Sequence, residues 1–424
     1  MRRAARTPAA DSGINVIAWA LSAAHANHFE PSSSASGLDC AADHQGVESP
    51  GSEKLQLSAL LAGCRAAAVI ASLARLLKTV SPMTGPWMGF FHGILLLFCL
   101  IPASLASGEL QLNQWIAMRS RAELPIRILT HNIRYATSAP FKGEKPWAER
   151  KQRLINELRF NTQHNLESFI CLQEVLHVQL VDILSGLNKG SPASPDSQWQ
   201  YIGVGRDDGH EKGEYSPIFY RPAIWKLRHW ETVWLSETPE KPSKSWDAAS
   251  IRIVTIGVFT HRASSKTVLA LNTHLDDQGS RSRFEAAHII LRKINDYLTG
   301  EYGGSISGVF LSGDLNSNET QEAYQVLTAT NSSLVDAQKL VDAAEHYGNE
   351  NTYTGFGYDG EPPSRIDYIL LGPADKPGAI NSSGQPQNAA IPWGLQGYAV
   401  LPNRFDDGVF NSDHRAVVVD VVLT

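Results

Sequence analysis

Cysteine is scarce in this chain, with four in 424 residues. They are Cys40, Cys64, Cys99 and Cys171, and only the last lies in the stretch patterned like a folded catalytic domain, so that stretch closes no internal disulfide. No Cys/His spacing resembles a zinc site. Cys171, inside the apolar run Phe169-Ile170-Cys171-Leu172, reads as a buried core thiol. A surplus of positive charge is missing too. Of 37 Lys/Arg and 43 Asp/Glu, seven and six fall in residues 1–108, which leaves the remainder at −7. A domain that tracks a long polyanion through a broad basic groove is normally basic, so the charge disfavours such a groove. The chain shows no basic run interleaved with aromatics, no appended RNA-binding motif and no internal repeat. What is there, 43% hydrophobic and 8% aromatic residues, is the composition of a folded globular protein of one large domain or two ordinary ones.

Residues 1–82 are rich in Ala and Ser, with sustained periodicity only around Leu55–Leu77. After Met83 comes an apolar run from Pro86 to Ile101, which closes on small residues at Ser104 and Ala106. That layout is the layout of a secretory signal with its cleavage site. It implies that translation starts near Met83, that residues 1–82 are a poorly structured or mis-assigned extension of the gene model, and that the mature protein is secreted. The competing expectation is a membrane anchor through residues 86–107. Sequons beginning at Asn318, Asn331 and Asn381 are compatible with a secretory route.

From about residue 125 the pattern changes to short strands and occasional helices. Strands are expected at Ile126–Thr130, Phe169–Leu172, Ile218–Tyr220, Ile253–Phe259, Val268–Asn272, Val309–Ser312, Ile366–Leu371 and Ala416–Val422. Helices are expected at Ala148–Phe160, His177–Gly186, Arg281–Leu298 and Glu319–Ala329. Long βαβ alternation is missing, which favours an α/β (α+β) domain of two packed, mainly antiparallel sheets covered by helices over a doubly wound parallel sheet. Residues 373–394, rich in Pro, Gly, Asn and Gln, read as a surface loop.

Polar groups recur at the ends of these strands. Asn132 lies in Thr130-His131-Asn132-Ile133-Arg134, Glu174 in Leu172-Gln173-Glu174, and Tyr215 in Gly213-Glu214-Tyr215-Ser216. His274 and Asp276 follow in Asn272-Thr273-His274-Leu275-Asp276, then Asp314 and Asn316 in Ser312-Gly313-Asp314-Leu315-Asn316. Asp367 in Arg365-Ile366-Asp367-Tyr368 and the closing Asn411-Ser412-Asp413-His414 complete the series. Asp314 and Asn316 are two apart, so an extended backbone would project them from one face. Two oxygen-bearing side chains there suit a hard divalent ion or a water held for attack. Asp413 and His414 add a carboxylate and an imidazole. Each motif alone could be a helix cap, a turn or an alternating strand. The ordered set, each member beside a strand end, points to one site for metal-assisted hydrolysis of phosphate esters.

This set resembles the endonuclease/exonuclease/phosphatase superfamily, whose fold is like that of DNase I, over residues from about 125 to 424. The resemblance is carried by Leu172-Gln173-Glu174, Gly313-Asp314-Leu315-Asn316, Arg365-Ile366-Asp367-Tyr368 and Ser412-Asp413-His414. Trp147 to Arg150, with Lys151 and Arg153, is similar to the helix start of the nocturnin and carbon-catabolite-repressor deadenylase branch. Residues Gly203 to Gly209, Tyr220-Arg221 and Trp234 to Pro239 resemble a bacterial and fungal subgroup near that branch. The resemblance implies a four-layer sandwich and a Mg²⁺ ion, with Mn²⁺ as the alternative. Glu174 would be the principal ligand, with Asn132 close by and Asp413 at a second site. It further implies that Asp314 orients or deprotonates water, that Asn316 holds a phosphate oxygen, and that His414 is aligned by Asp367. His274 would be a second phosphate-directed imidazole or general acid, and Tyr215 would touch the phosphate or leaving oxygen. Arg281, Arg283 and Arg206 are candidates for binding substrate phosphate. The leading expectation is a 3′–5′ RNA exonuclease acting on single-stranded RNA. The second is a phosphatase or phospholipase-type hydrolase of inositol, sugar or sphingolipid phosphates, and a non-enzymatic scaffold ranks last because no core residue is missing. A monomer without a stable protein partner is expected.

Overall fold

A computed structural model describes residues 123–189, 198–357, 362–374 and 391–424. The extension at 1–82, the apolar run at 83–107, the sequon at Asn381 and most of the loop expected at 373–394 lie outside the described residues. Among the described residues, no helix is long and apolar enough to cross a membrane.

Strands buried on both faces read as continuous apolar runs, and these form the middle of the molecule. The first sheet contains β1 (Leu124–Asn132), β2 (Phe169–Gln173), β3 (Gln200–Ile202), β4 (Ile218–Tyr220), β10 (His346–Gly348), β12 (Trp393–Val400) and β13 (Val417–Leu423). Its order is β10-β12-β13-β1-β2-β4-β3. The second contains β5 (Trp225–Trp234), β6 (Ile253–His261), β7 (Thr267–His274), β8 (Ile306–Asp314), β9 (Val335–Asp336) and β11 (Asp367–Gly372), in the order β5-β6-β7-β8-β11-β9. Antiparallel pairs dominate both sheets, as expected. The correction is that β1–β2, β7–β8 and β10–β12 are parallel. The first two pairs are each joined through a helix, α1 (Trp147–Thr162) or α3 (Ser280–Thr299), so two βαβ units stand inside the mainly antiparallel fold, while the short edge strand β10 lies parallel to β12.

Ile128, Phe169, Phe259 and Phe310 pack between the facing sheets. Leu154 and Leu158 of α1, with Leu180 and Ile183 of α2 (His177–Asn188), cover the outer face of the first sheet. Ala286, Ile290 and Ile294 of α3 cover the second, next to α4 (Glu322–Leu327). The result is the helix–sheet–sheet–helix sandwich of the DNase I-like fold. The expected helix Glu319–Ala329 shrinks to α4 because Asn318 caps a turn instead: its Oδ1 accepts from Thr320 N at 2.9 Å, while Asn318 N donates to Gln321 Oε1 at 2.7 Å. β5 and β12 were not expected. β5 is the edge of its sheet, with Lys226, Arg228, His229 and Trp230 exposed, and β12 carries Gly394, Gly397 and a bulge between Leu395 and Gly397. Trp393, placed in the expected loop, opens β12.

One buried cation fastens the chain near the polar ends of the strands. Arg150, fully buried, donates to the carbonyls of Lys145 (2.8 Å), Ile133 (2.9 Å), Asn411 (2.8 Å) and Arg134 (3.1 Å). It thereby ties the segment after β1 to the loop before β13. Replacing it by Met strands those carbonyls away from water. Arg150→Met is expected to lower the unfolding free energy in urea by roughly 3 kcal/mol, and Arg150→Lys to recover little, because an ammonium lacks the planar fork. A loss below about 1 kcal/mol for Arg150→Met would contradict this role.

Candidate active site

Strand register alone collects the first acidic and imidazole groups. In the second sheet His274, the last residue of β7, pairs with Asp314, the last of β8, and Asp314 pairs with Asp367, the first of β11. From the first sheet, β1 ends on Asn132, and Glu174 follows β2 directly. Asn132 joins the two sets, because its amide nitrogen donates to Glu174 Oε1 (3.0 Å) and to Asp314 Oδ2 (2.9 Å). Its own oxygen accepts from Arg134 N at 3.0 Å. Asn132 therefore positions two carboxylates, with its oxygen already engaged.

Asp314 Oδ2 is the centre of the arrangement. Besides Asn132 it faces His274 Nε2 at 3.5 Å and His414 Nε2 at 3.7 Å. His414 turns its other nitrogen, Nδ1, to Asp367 Oδ2 at 2.8 Å, which fixes the ring. His274 Nδ1 faces Glu214 Oε2 at 3.6 Å, and Glu214 is itself held by Arg206 Nη1 at 2.8 Å. Asp314 Oδ1 accepts from the backbone N of Asn316 at 2.9 Å. The extended face expected for Asp314 and Asn316 is thus replaced by a turn, and Asn316 sits in the left-handed region at φ +46°. Its side-chain nitrogen lies 3.1 Å from His274 Nε2 and donates to Leu275 O at 3.0 Å. Arg134 and Glu174 also have positive φ, +56° and +58°. Strained backbone of this kind persists where surrounding contacts over-determine it, and three instances border one cavity.

Charge is concentrated here. Burial alone would raise Glu174, but His274 and Arg134 and the hydrogen bonds from Asn132 and Tyr135 bring it down to about 2. Burial, together with the neighbouring charge of Glu174, pushes Asp413 up to about 6. Burial and then Asp367 likewise raise Asp314. Burial works against charge on His414, yet Asp367 and Asp314 outweigh it and raise the imidazole to about 10. At neutral pH His414 is therefore an imidazolium. Because its folded value lies above the ordinary one near 6.5, its ion pairs stabilise the fold fully below pH 6.5, and this contribution is lost as pH rises through 10.

Two groups of side chains bear on a metal ion. Ligand atoms of Asp314, Asp367 and His414 lie within 4.8 Å of one another. His414 Nδ1 and Asp314 Oδ2 are already engaged by Asp367 and Asn132, however, so this trio is first a hydrogen-bonded acid–imidazole chain. Part-buried Glu174 and buried Asp413 offer hard oxygen donors at the cavity, where the charge of Glu174 raises the cost of ionising Asp413. A divalent ion relieves that cost, and oxygen donors fit Mg²⁺ or Mn²⁺.

These groups open into a cavity of about 710 Å³. Of the residues expected at the site, Glu174, Arg206, His274, Asp314, Asn316, Asp413 and His414 line it, while Asn132 and Asp367 buttress it from behind. Three of the other expected residues do not line the cavity. The Tyr215 hydroxyl donates to His210 O at 2.8 Å and lies 3.1 Å from His177 Nδ1, and its ring belongs to the core under α1 and α2. Neighbours on an extended segment point to opposite faces, so Glu214, one residue earlier, reaches the cavity instead. Arg281 is exposed on the first turn of α3, with Nε 4.0 Å from Glu285 Oε1. Arg283 is buried, paired with Glu322 and donating to Asp276 O at 2.9 Å. Asp276 caps the turn before α3, accepting from the backbone N of Gly279 at 2.8 Å and from Ser250 N at 2.9 Å. Arg134, Glu214, Arg252 and Asp277 were not expected to line the cavity. Arg134 sits in the quoted Thr130–Arg134 run and Glu214 beside Tyr215, so their proximity was visible; Arg252 and Asp277 come in through tertiary contact.

Residues 129–385 match the endonuclease/exonuclease/phosphatase family. No curated protein matches the chain by sequence. Among solved structures, an endonuclease/exonuclease/phosphatase from Bacteroides vulgatus is 29% identical, covering 71% of this chain and 100% of its own, with a TM-score of 0.57. A mannosyl-6-phosphatase from Bacteroides thetaiotaomicron is 27% identical, covering 70% of this chain and 99% of its own, with a TM-score of 0.57. The human nocturnin catalytic domain is 19% identical, covering 71% of this chain and 95% of its own, with a TM-score of 0.46.

The His414–Asp367 contact carries a direct test. Asp367→Asn removes one of the two carboxylates that keep the ring charged, so the His414 titration followed by NMR should fall from about 10 toward the ordinary range. An unchanged midpoint would remove Asp367 from that role.

Proposed function

The chain belongs to the endonuclease/exonuclease/phosphatase family and is a metal-dependent phosphoric ester hydrolase, and we propose that it acts as a phosphatase of small phosphate monoesters, sugar phosphates foremost. The observation that carries this reading is the charge pairing inside the cavity. Three arginines line it, and each is matched to carboxylates: Arg134 with Glu144 (3.3 Å), Arg206 with Glu214 (2.8 Å) and Arg252 with Asp277 (2.8 Å). No lysine lines it. A polyanion needs a track of uncompensated cations, and this cavity has none, while its volume is that of a small-ligand site. Similarity to the Bacteroides thetaiotaomicron mannosyl-6-phosphatase supports the same reading.

The expectation of an RNA exonuclease leaned on the Trp147 to Arg150 helix start. Trp147 Nε1 donates to Asp182 Oδ2 at 2.8 Å and Arg150 gives its protons to backbone carbonyls, so both are scaffold and neither bears on substrate.

Glu174 and Asp413 would hold the divalent ion, which supplies Lewis-acid stabilisation of charge on the phosphoryl oxygens. Asp314 Oδ2, with its raised proton affinity, is placed to orient and deprotonate the attacking water. His414 presents Nε2–H as a charged donor to a phosphoryl oxygen, with Asp367 holding the ring in place. His274, backed by Glu214, is the group available to protonate the departing alcohol.

A substrate panel decides among the readings. Mannose 6-phosphate, p-nitrophenyl phosphate, single-stranded RNA and sphingomyelin would each be incubated with Mg²⁺ and with EDTA. Release of inorganic phosphate from the small monoesters, abolished by EDTA, is expected, with RNA length unchanged. Shortening of RNA without phosphate release from the monoesters would overturn the proposal.

A further inference from the structure

Aromatic rings form the part of the cavity wall that runs from Glu174 to His414. Tyr135, Phe141, Tyr353 and Phe356 all line it. Arg134 couples the first two to the reacting groups. Its Nη1 lies 3.7 Å from Glu174 Oε2, and its Cζ lies 4.3 Å from the ring centre of Tyr135 and 4.7 Å from that of Phe141. Tyr353 packs on His414, their ring centres 5.0 Å apart. The loop that carries Phe141 is tied down. Phe141 N donates to Glu144 Oε2 at 2.9 Å, Glu144 N donates back to Phe141 O at 3.0 Å, and Glu144 Oε1 accepts from Arg134 Nε at 3.3 Å. Gly143 has φ +88°, and a Cβ there would stand 2.7 Å from the Phe356 carbonyl oxygen, so glycine lets this loop lie against Phe356.

Phe141 is nonetheless 53% exposed. Arg134 lies over its ring, and the rest of the ring borders the cavity and water. An apolar ring fixed in place and left in water gains free energy when another apolar surface covers it. The phosphoryl group belongs among Glu174, Asp413 and His414, so the part of the substrate left to meet Phe141 is the alcohol. Asn132 bonds both Glu174 and Asp314, and Asp314 Oδ2 is 3.5 Å from His274 Nε2, so an alcohol oxygen within reach of His274 leaves its ring able to extend past Glu174 onto Phe141. A pyranose suits such a surface. It turns C–H groups to an aromatic face while its hydroxyls stay hydrated at the rim, and its closed ring has few torsions left to freeze. An acyclic polyol has to order several. We infer that Phe141, braced by Arg134 and Tyr135, is the platform on which the ring of the alcohol packs, and that it determines specificity for cyclic over acyclic phosphate monoesters.

This inference rests on the phosphatase reading above, and the experiment separates the two. The quantity to measure is kcat/KM for mannose 6-phosphate divided by kcat/KM for glycerol 3-phosphate, an acyclic ester of the same charge. Phe141→Ala, at an exposed position, is expected to lower the ratio about threefold to tenfold, chiefly through a higher KM for the sugar phosphate. Phe141→Tyr, which keeps the ring, should retain the wild-type ratio. A role confined to shaping the loop would slow both esters together, and an unchanged ratio in Phe141→Ala would overturn the platform. A ratio that falls as far in Phe141→Tyr as in Phe141→Ala would overturn it too. A wild-type enzyme that hydrolyses glycerol 3-phosphate and no sugar phosphate also overturns it, while the phosphatase reading survives. Turnover of neither monoester overturns both.

Discussion

Side-chain amides hold the two sheets together at the end where the chemistry lies. The Asn132 amide spans Glu174 of the first sheet and Asp314 of the second. One layer deeper, Gln173 Nε2 donates to Asn272 Oδ1 at 2.7 Å and to Thr130 Oγ1 at 2.9 Å, and Asn272 Nδ2 donates to Leu172 O at 2.8 Å. These bonds are buried, so each is costly to break, and together they fix the spacing of strand ends that apolar packing alone would leave free to slide. The site depends on that spacing, because its members come from five strands and a loop.

The electrostatics follow from the same closeness. Crowding Glu174, Asp314, Asp367 and Asp413 into one buried region is unfavourable unless cations accompany them. His414 supplies one by remaining protonated, and Arg134 another, resting on the faces of Tyr135 (4.3 Å) and Phe141 (4.7 Å). The residual negative charge at Glu174 and Asp413 is where, under the proposed reading, a divalent ion would be accommodated. The imidazolium charge and the raised proton affinity of Asp314 are thus coupled results of one arrangement, and under the proposed reading it would serve hydrolysis by holding a base, a charged donor and ion ligands around a common point.

Much of this was legible in the sequence where burial is complete. The runs that became β1, β2, β7, β8 and β13 lie in the interior of the sheets and read as continuous apolar segments, and their polar terminators were the site residues Asn132, Glu174, His274, Asp314 and Asp413-His414. Legibility failed at edges. β5 hides its apolar residues among Lys226, Arg228 and Glu231, and β12 is broken by glycines. It failed again where a partner comes from afar: Arg283 meets Glu322, 39 residues away, and Arg252 meets Asp277, 25 residues away, contacts that spacing does not announce. Tyr215 and Glu214 are adjacent, and on an extended segment one residue changes the face, which puts the tyrosine in the core and the glutamate at the cavity.

The central claim is that Asp314 and His414 act as one unit around a shared oxygen rather than as independent contributors. The most direct test is a double-mutant cycle on the turnover number with Asp314→Asn and His414→Gln, folding being checked by circular dichroism. Each single change is expected to lower kcat by about a hundredfold to ten-thousandfold, and the double variant to be little worse than either. Losses that multiply in the double variant would contradict the account.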